Sequence, residues 1–85
     1  HYPTKHSYIL ELKVLSKKEF DEEAKDAYKE DGTPMTKAEK QWEDAVEQIN
    51  QYAEAQRVEA LRQGTTLHKI IMQFKGWELA RMEEM

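Results

Sequence analysis

Two short runs rich in apolar and β-branched residues, Tyr8 to Leu15 and Leu67 to Phe74, are separated by a long stretch of helical periodicity. That order leaves few folds open. Two strands joined through helix lie parallel in one sheet, by a right-handed crossover, because a tight turn cannot close a parallel pair. Lys75-Gly76 breaks the chain before a last run from Trp77 to Met82. These final runs read as a hairpin, with glycine supplying the positive φ that a primed turn requires.

The helical stretch divides in two. Ser16-Lys17-Lys18-Glu19 has the form of a capping box, and Phe20, Ala24, Ala27 and Tyr28 follow as a single apolar stripe. Asp31-Gly32-Thr33-Pro34 stops that element, with glycine placed as a C-cap and proline beyond it. The spacing predicts a helix over 17–30. Thr36-Lys37-Ala38-Glu39 is a second capping box, and Ala38, Trp42, Ala45, Val46, Ile49, Tyr52 and Ala53 continue as an apolar line towards Leu61. Gly64 ends it, which predicts a helix over 37–62. With strands over 7–15, 67–74 and 77–82, the order is strand-helix-helix-strand-strand. The fold class is α/β: a mixed three-stranded sheet with helices packed on it. Trp42, Phe74 and Trp77 are read as core, the last two packing across the hairpin.

Composition narrows the function. The 85 residues make one small domain, with 35% charged and 39% hydrophobic residues. A net charge of −4 and a pI near 5.4 argue against a generally basic nucleic-acid binder, though not against a local basic groove. The absence of cysteine excludes disulfide and thiolate chemistry and leans towards a cytoplasmic location. No apolar stretch approaches the roughly 20 residues of a membrane span.

Glu11 and Lys13 interrupt the first run, in which six of the eight residues from Tyr8 to Leu15 are apolar. The run reads as a buried strand, and period-two alternation sends both charges to one face. Charges are costly to bury unless paired or bound. A carboxylate such as Glu11 suits a hard divalent cation, with the Leu12 carbonyl as a second oxygen donor. A lysine on the same face can orient or stabilise a metal-bound hydroxide attacking a phosphodiester. The plain alternative is a solvated ion pair. Gln48 and Tyr52, four apart on the main helix, share a face; either their tips reach the Glu11/Lys13 face, or Gln48 is solvated and Tyr52 lies at the core edge. His68 is read as solvated or capping, and His1 and His6 as no metal site. There is no glycine-rich phosphate loop, activated serine or zinc-ligand spacing.

Taken together, the Tyr2-Pro3 lead-in, the run from His6 to Leu15 with Glu11-Leu12-Lys13, the helical Ala45-x-x-Gln48-Ile49-x-x-Tyr52 and the closing Phe74-Lys75-Gly76-Trp77 resemble the PD-(D/E)xK nuclease superfamily. More narrowly, the chain looks like the nuclease-like C-terminal domain of bacterial AAA-ATPase-like proteins. The resemblance implies a partial restriction-endonuclease-like core. It implies Glu11 as metal-binding acid, Lys13 as catalytic lysine, and Gln48 and Tyr52 as the helix-borne pair behind the site. The implied cofactor is magnesium or manganese, and the implied reaction is phosphodiester hydrolysis in DNA. An N-terminal AAA-ATPase-like domain of the same chain would be its partner.

One departure matters. The family's other metal-binding aspartate precedes Glu-x-Lys on the neighbouring strand, and the ten residues before Glu11 contain no acid. The chain is therefore expected to be the C-terminal portion of a nuclease domain, inactive alone. Such a piece exposes a sheet edge and apolar faces, so self-association by edge pairing or helix exchange is expected. The rival reading is a non-catalytic module that keeps the fold to bind protein or nucleic acid.

Overall fold

The first run forms strand β1 (Lys5–Leu15) in the computed structural model, which describes residues 5–85. His1 and the Tyr2-Pro3 lead-in lie outside the described residues. A single helical turn, α1 (Lys17–Phe20), follows, then short strands β2 (Glu23–Tyr28) and β3 (Pro34–Thr36). The long helix α2 (Lys37–Gln63) leads to β4 (Thr65–Lys75) and β5 (Glu78–Glu84). The main sheet has the order β1-β4-β5. β1 runs parallel to β4 with Glu11 opposite Ile71 and Lys13 opposite Gln73, and β5 returns antiparallel. The mixed three-stranded sheet expected from the sequence is present, and β1 has a free edge within it.

Helix α2 is fixed at both ends by local chemistry. The Thr36 hydroxyl accepts from the Glu39 amide, and the Glu39 carboxylate accepts from the Thr36 amide. Two otherwise unpaired donors are thereby satisfied. Gly64 adopts a left-handed φ of 67° and returns its N–H to the Ala60 and Leu61 carbonyls, a geometry that favours glycine. Ala38, Trp42, Ala45, Ile49 and Ala53 form its buried face. Ile49 and Ile71 are fully buried and, with Trp42 and Ala45, make the core, against which Ile9 and Val46 pack. The apolar line ends sooner than the sequence suggests, since Tyr52 and Leu61 are exposed.

So small a core has little redundancy. Ile71→Ala is expected to cost about 2–5 kcal/mol of stability, from lost burial plus the cavity beneath Ile49. Urea denaturation would measure it; a loss under about 1 kcal/mol would mean that the site collapses freely.

The helix expected over 17–30 is not formed. Its capped start survives as one turn, with the Glu19 amide donating to the Ser16 hydroxyl at 3.1 Å. The chain then becomes the β2–β3 hairpin, irregular in register, with Asp26 at a positive φ of 56° that no helix accommodates. The stripe was weak: two of its four residues are alanines, which bury little area. Ala27 is instead buried within the hairpin. Asp31 and Gly32 serve as a hairpin turn. The Asp31 carboxylate accepts from both the amide and the hydroxyl of Thr33, which hold its pKa low. Ion pairs Lys29–Glu39 at 3.0 Å and Lys37–Glu22 at 3.7 Å tie the hairpin to the first turn of α2. The Lys29 hydrogen bond is the main reason the Glu39 carboxyl lies below its ordinary value.

Two further expectations are corrected. The turn between β4 and β5 is Gly76-Trp77, with Lys75 paired to Glu78. Gly76 has a φ of 63° and Trp77 does not share the positive φ, the pattern of a type II′ turn. Trp77 sits at the turn tip, 98% exposed, and takes no part in the core. The second concerns β1, most of whose apolar side chains do not face the covered side. Ile9, Glu11, Lys13 and Leu15 are half-buried beneath α2, whereas Tyr8, Leu10, Leu12 and Val14 lie exposed on the opposite face. The alternation is as expected; the helix covers the phase that carries the charges.

Candidate active site

Glu11 and Lys13 occupy successive positions on the helix-facing side of β1, and the structure joins them. Lys13 Nζ lies 3.2 Å from Glu11 Oε1, with side-chain exposures of 26% and 21%. The same ammonium donates to Gln48 Oε1 at 3.0 Å. Strand and helix therefore meet through one lysine: a carboxylate holds it from two residues away and a carboxamide from across the layer. Partial desolvation makes such charge-assisted contacts stronger than on an open surface.

The backbone adds a donor. Carbonyls along a strand alternate in direction. Leu15 O accepts from Gly76 N on the β4 side, and Val14 O accepts from Gln41 Nε2. Leu12, in phase with Val14, therefore directs its carbonyl to the free edge of β1, away from β4. Oxygen from Glu11 and oxygen from Leu12 are available at that one edge. In kind they fit a hard divalent cation, and they supply only part of its shell. Among the described residues no cluster of three His, Cys, Asp or Glu side chains is placed to hold a metal.

Tyr52 is not brought into this group. It lies one turn further along α2 and lines a groove with Ser7, Ile9 and Gln56, 62% exposed, whereas the cross-layer contact of Lys13 is to Gln48.

The sequence reading missed two polar assemblies. Gln73 is buried on the helix side of β4, donating to Ala38 O at 2.8 Å and to Gln41 Oε1 at 3.0 Å. Both amide hydrogens are used, and Gln41 in turn reaches Val14 O, so the start of α2 is pinned across β4 to β1. A polar residue next in phase after Ile71 on an apolar strand was the available signal. The second assembly involves His68, which neither caps nor stands solvated. Its Nδ1 lies 2.7 Å from Glu84 Oε1, its Nε2 lies 2.8 Å from His6 Nδ1, and Tyr8 stacks on its ring. This chain of contacts lies on the open face of the sheet.

A mixed three-stranded sheet with a long helix packed on it defines the class as α/β, consistent with a partial restriction-endonuclease-like fold. The family model described as the PD-(D/E)XK nuclease superfamily matches residues 1–84. The chain belongs to that superfamily. No curated protein and no solved structure matches it. No helix among the described residues is long and apolar enough to cross a membrane.

Proposed function

We infer that the chain is part of a metal-dependent DNA nuclease domain, and that Glu11, Lys13 and Gln48 are its working side chains. The observation that carries this reading is the pairing of Lys13 with both Glu11 and Gln48. Magnesium or manganese, held by Glu11, the Leu12 carbonyl and a further acidic group not supplied by the ten residues before Glu11, would supply Lewis-acid activation of the attacking water. Glu11 holds the lysine in place through Oε1. Lys13 presents positive charge where charge develops on the phosphate, and Gln48 fixes the ammonium against the helix. Tyr52, one turn further along the same helix, lines a separate groove with Ser7 and Ile9 and is left out of the working group. Residues 1–85 alone are expected not to cut.

We further propose that the domain stands beside an AAA-ATPase-like domain of the same chain, in the cytoplasm of a bacterium. The acidic net charge favours a second reading, a non-catalytic binding module. One experiment separates them. Full-length protein is incubated with linear and circular DNA and magnesium or manganese, beside Glu11→Gln. Metal-dependent cutting that the variant loses supports the nuclease. Equal cutting by both would remove Glu11 from the chemistry, and DNA binding without cutting would favour the module.

A further inference from the structure

The β2–β3 hairpin builds one wall of a cleft that the sequence did not disclose. β1 contributes Lys13 and Leu15, β2 contributes Ala24, and α2 contributes Lys37, Lys40, Gln41 and Asp44, around a space of about 300 Å³. Three lysines face one carboxylate there, in a chain whose net charge is −4. The neighbouring groove between β1 and the far half of α2 holds no lysine or arginine and carries Glu59. The cleft beside β3 is lined by one cation, Arg81, and two carboxylates, Glu39 and Glu43. Of the two grooves flanking β1, the one towards the start of α2 therefore carries the positive charge. Lys37 and Lys40 are three apart, so they lie side by side on the helix. Their present partners are exposed carboxylates, Glu22 at 3.7 Å and Asp44 at 2.9 Å, and both lysine side chains are 40% or more exposed. Exposed pairs of this kind are weak enough to exchange for a phosphate.

We propose that this cleft holds the nucleic-acid backbone flanking the bond to be cut, with Lys37 and Lys40 contacting successive phosphates on the side of Lys13 away from Tyr52. The proposal rests on the nuclease reading and gives it a direction: the strand leaves Lys13 past the first turns of α2, not along the groove lined by Glu59. Phosphate contacts position nucleic acid without reading its sequence, so the cleft contributes affinity and register. A cleft with excess positive charge also concentrates phosphate locally despite the overall acidity.

The test is fluorescence anisotropy of a short labelled DNA duplex with full-length protein, with EDTA present to stop cutting, over a range of salt concentrations. The double variant Lys37→Gln/Lys40→Gln is expected to bind about tenfold more weakly at low salt. Its dependence of log affinity on log salt should be shallower by about 1.8, the loss of two phosphate contacts. A charge-matched control, Arg57→Gln/Lys69→Gln, removes two cations from the cleft of α2 and β4 and should change neither quantity. Asp44→Asn, which makes the cleft more positive, should bind about threefold tighter. Equal losses in both double variants, or no loss in the first, would overturn the proposal while leaving the nuclease reading intact. Failure of the unsubstituted protein to bind DNA would overturn both. In cutting assays the Lys37/Lys40 variant should raise KM with kcat retained, which separates positioning from chemistry.

Discussion

Lys13→Ala is expected to lower metal-dependent DNA cleavage by the full-length protein about 100- to 1,000-fold, the usual scale for losing a preorganised electrostatic group. The fold should survive. Lys13 is a half-buried side chain at the edge of the sheet, and the core of Trp42, Ala45, Ile49 and Ile71 does not include it. Removal frees the Glu11 carboxylate and leaves Gln48, already exposed, to water. DNA affinity should fall far less than the rate, because phosphate contact is shared with other lysines. Lys13→Arg keeps the charge in a planar, wider head and should recover only part of the rate. Single-turnover rates with circular dichroism as the folding check would decide the matter. A Lys13→Ala protein that is folded, binds DNA and cuts at the normal rate would remove Lys13 from the chemistry; full activity in both this variant and Glu11→Gln would sink the assignment.

The second large effect concerns the uncovered side of the sheet. Tyr8, Leu10, Leu12 and Val14 on β1 stand beside Ile70, Met72 and Phe74 on β4 and Met82 and Leu79 on β5. Leu10 is 52% exposed, Leu12 54% and Val14 61%. By strand spacing and rise the apolar field measures roughly 25 by 14 Å, near the size at which an exposed patch acts as an interaction or aggregation surface. The chain of residues 1–85 alone is therefore expected to bind an environment-sensitive dye such as ANS and to self-associate as its concentration rises. Leu12→Lys places a charge at the centre of this face and leaves the backbone carbonyl unchanged. It should cut dye binding several-fold and shift the chain to monomer in sedimentation. Monomeric behaviour of the unsubstituted chain at high concentration, with no dye bound, would show that the face is not sticky. This face is a surface for self-association beside the free edge of β1.

The strands and the long helix were legible because each carries a local signal: alternation in β1, a capping box and αL glycine around α2, and a glycine turn before β5. The shared face of Glu11 and Lys13 was equally legible, since period two allows no other outcome. Which face the helix would cover was not, because alternation fixes phase and leaves sidedness to tertiary packing. The same limit explains residues 17–30. Ser16 and Asp31-Gly32 punctuate a hairpin as readily as a helix, and the alanine stripe between them was too weak to choose. Gln48 and Tyr52 looked equivalent in sequence. Only the placement of Lys13 under Gln48 separates them, with Tyr52 a turn away over Ile9. The lysine cleft was invisible because it needs the hairpin as its wall.

The parallel β1–β4 ladder joins residues from the two ends of the chain, Lys5 to Thr65 through Leu15 to Lys75. Helix α2 and the β4–β5 hairpin are made of local contacts, whereas docking β1 closes the longest loop in the domain. Glu11 and Lys13 travel on that strand, and Gln48 waits on the helix. The three side chains thus meet only when the most entropically demanding step of folding is complete. Until β1 is seated, the lysine has no glutamine beneath α2 to receive it.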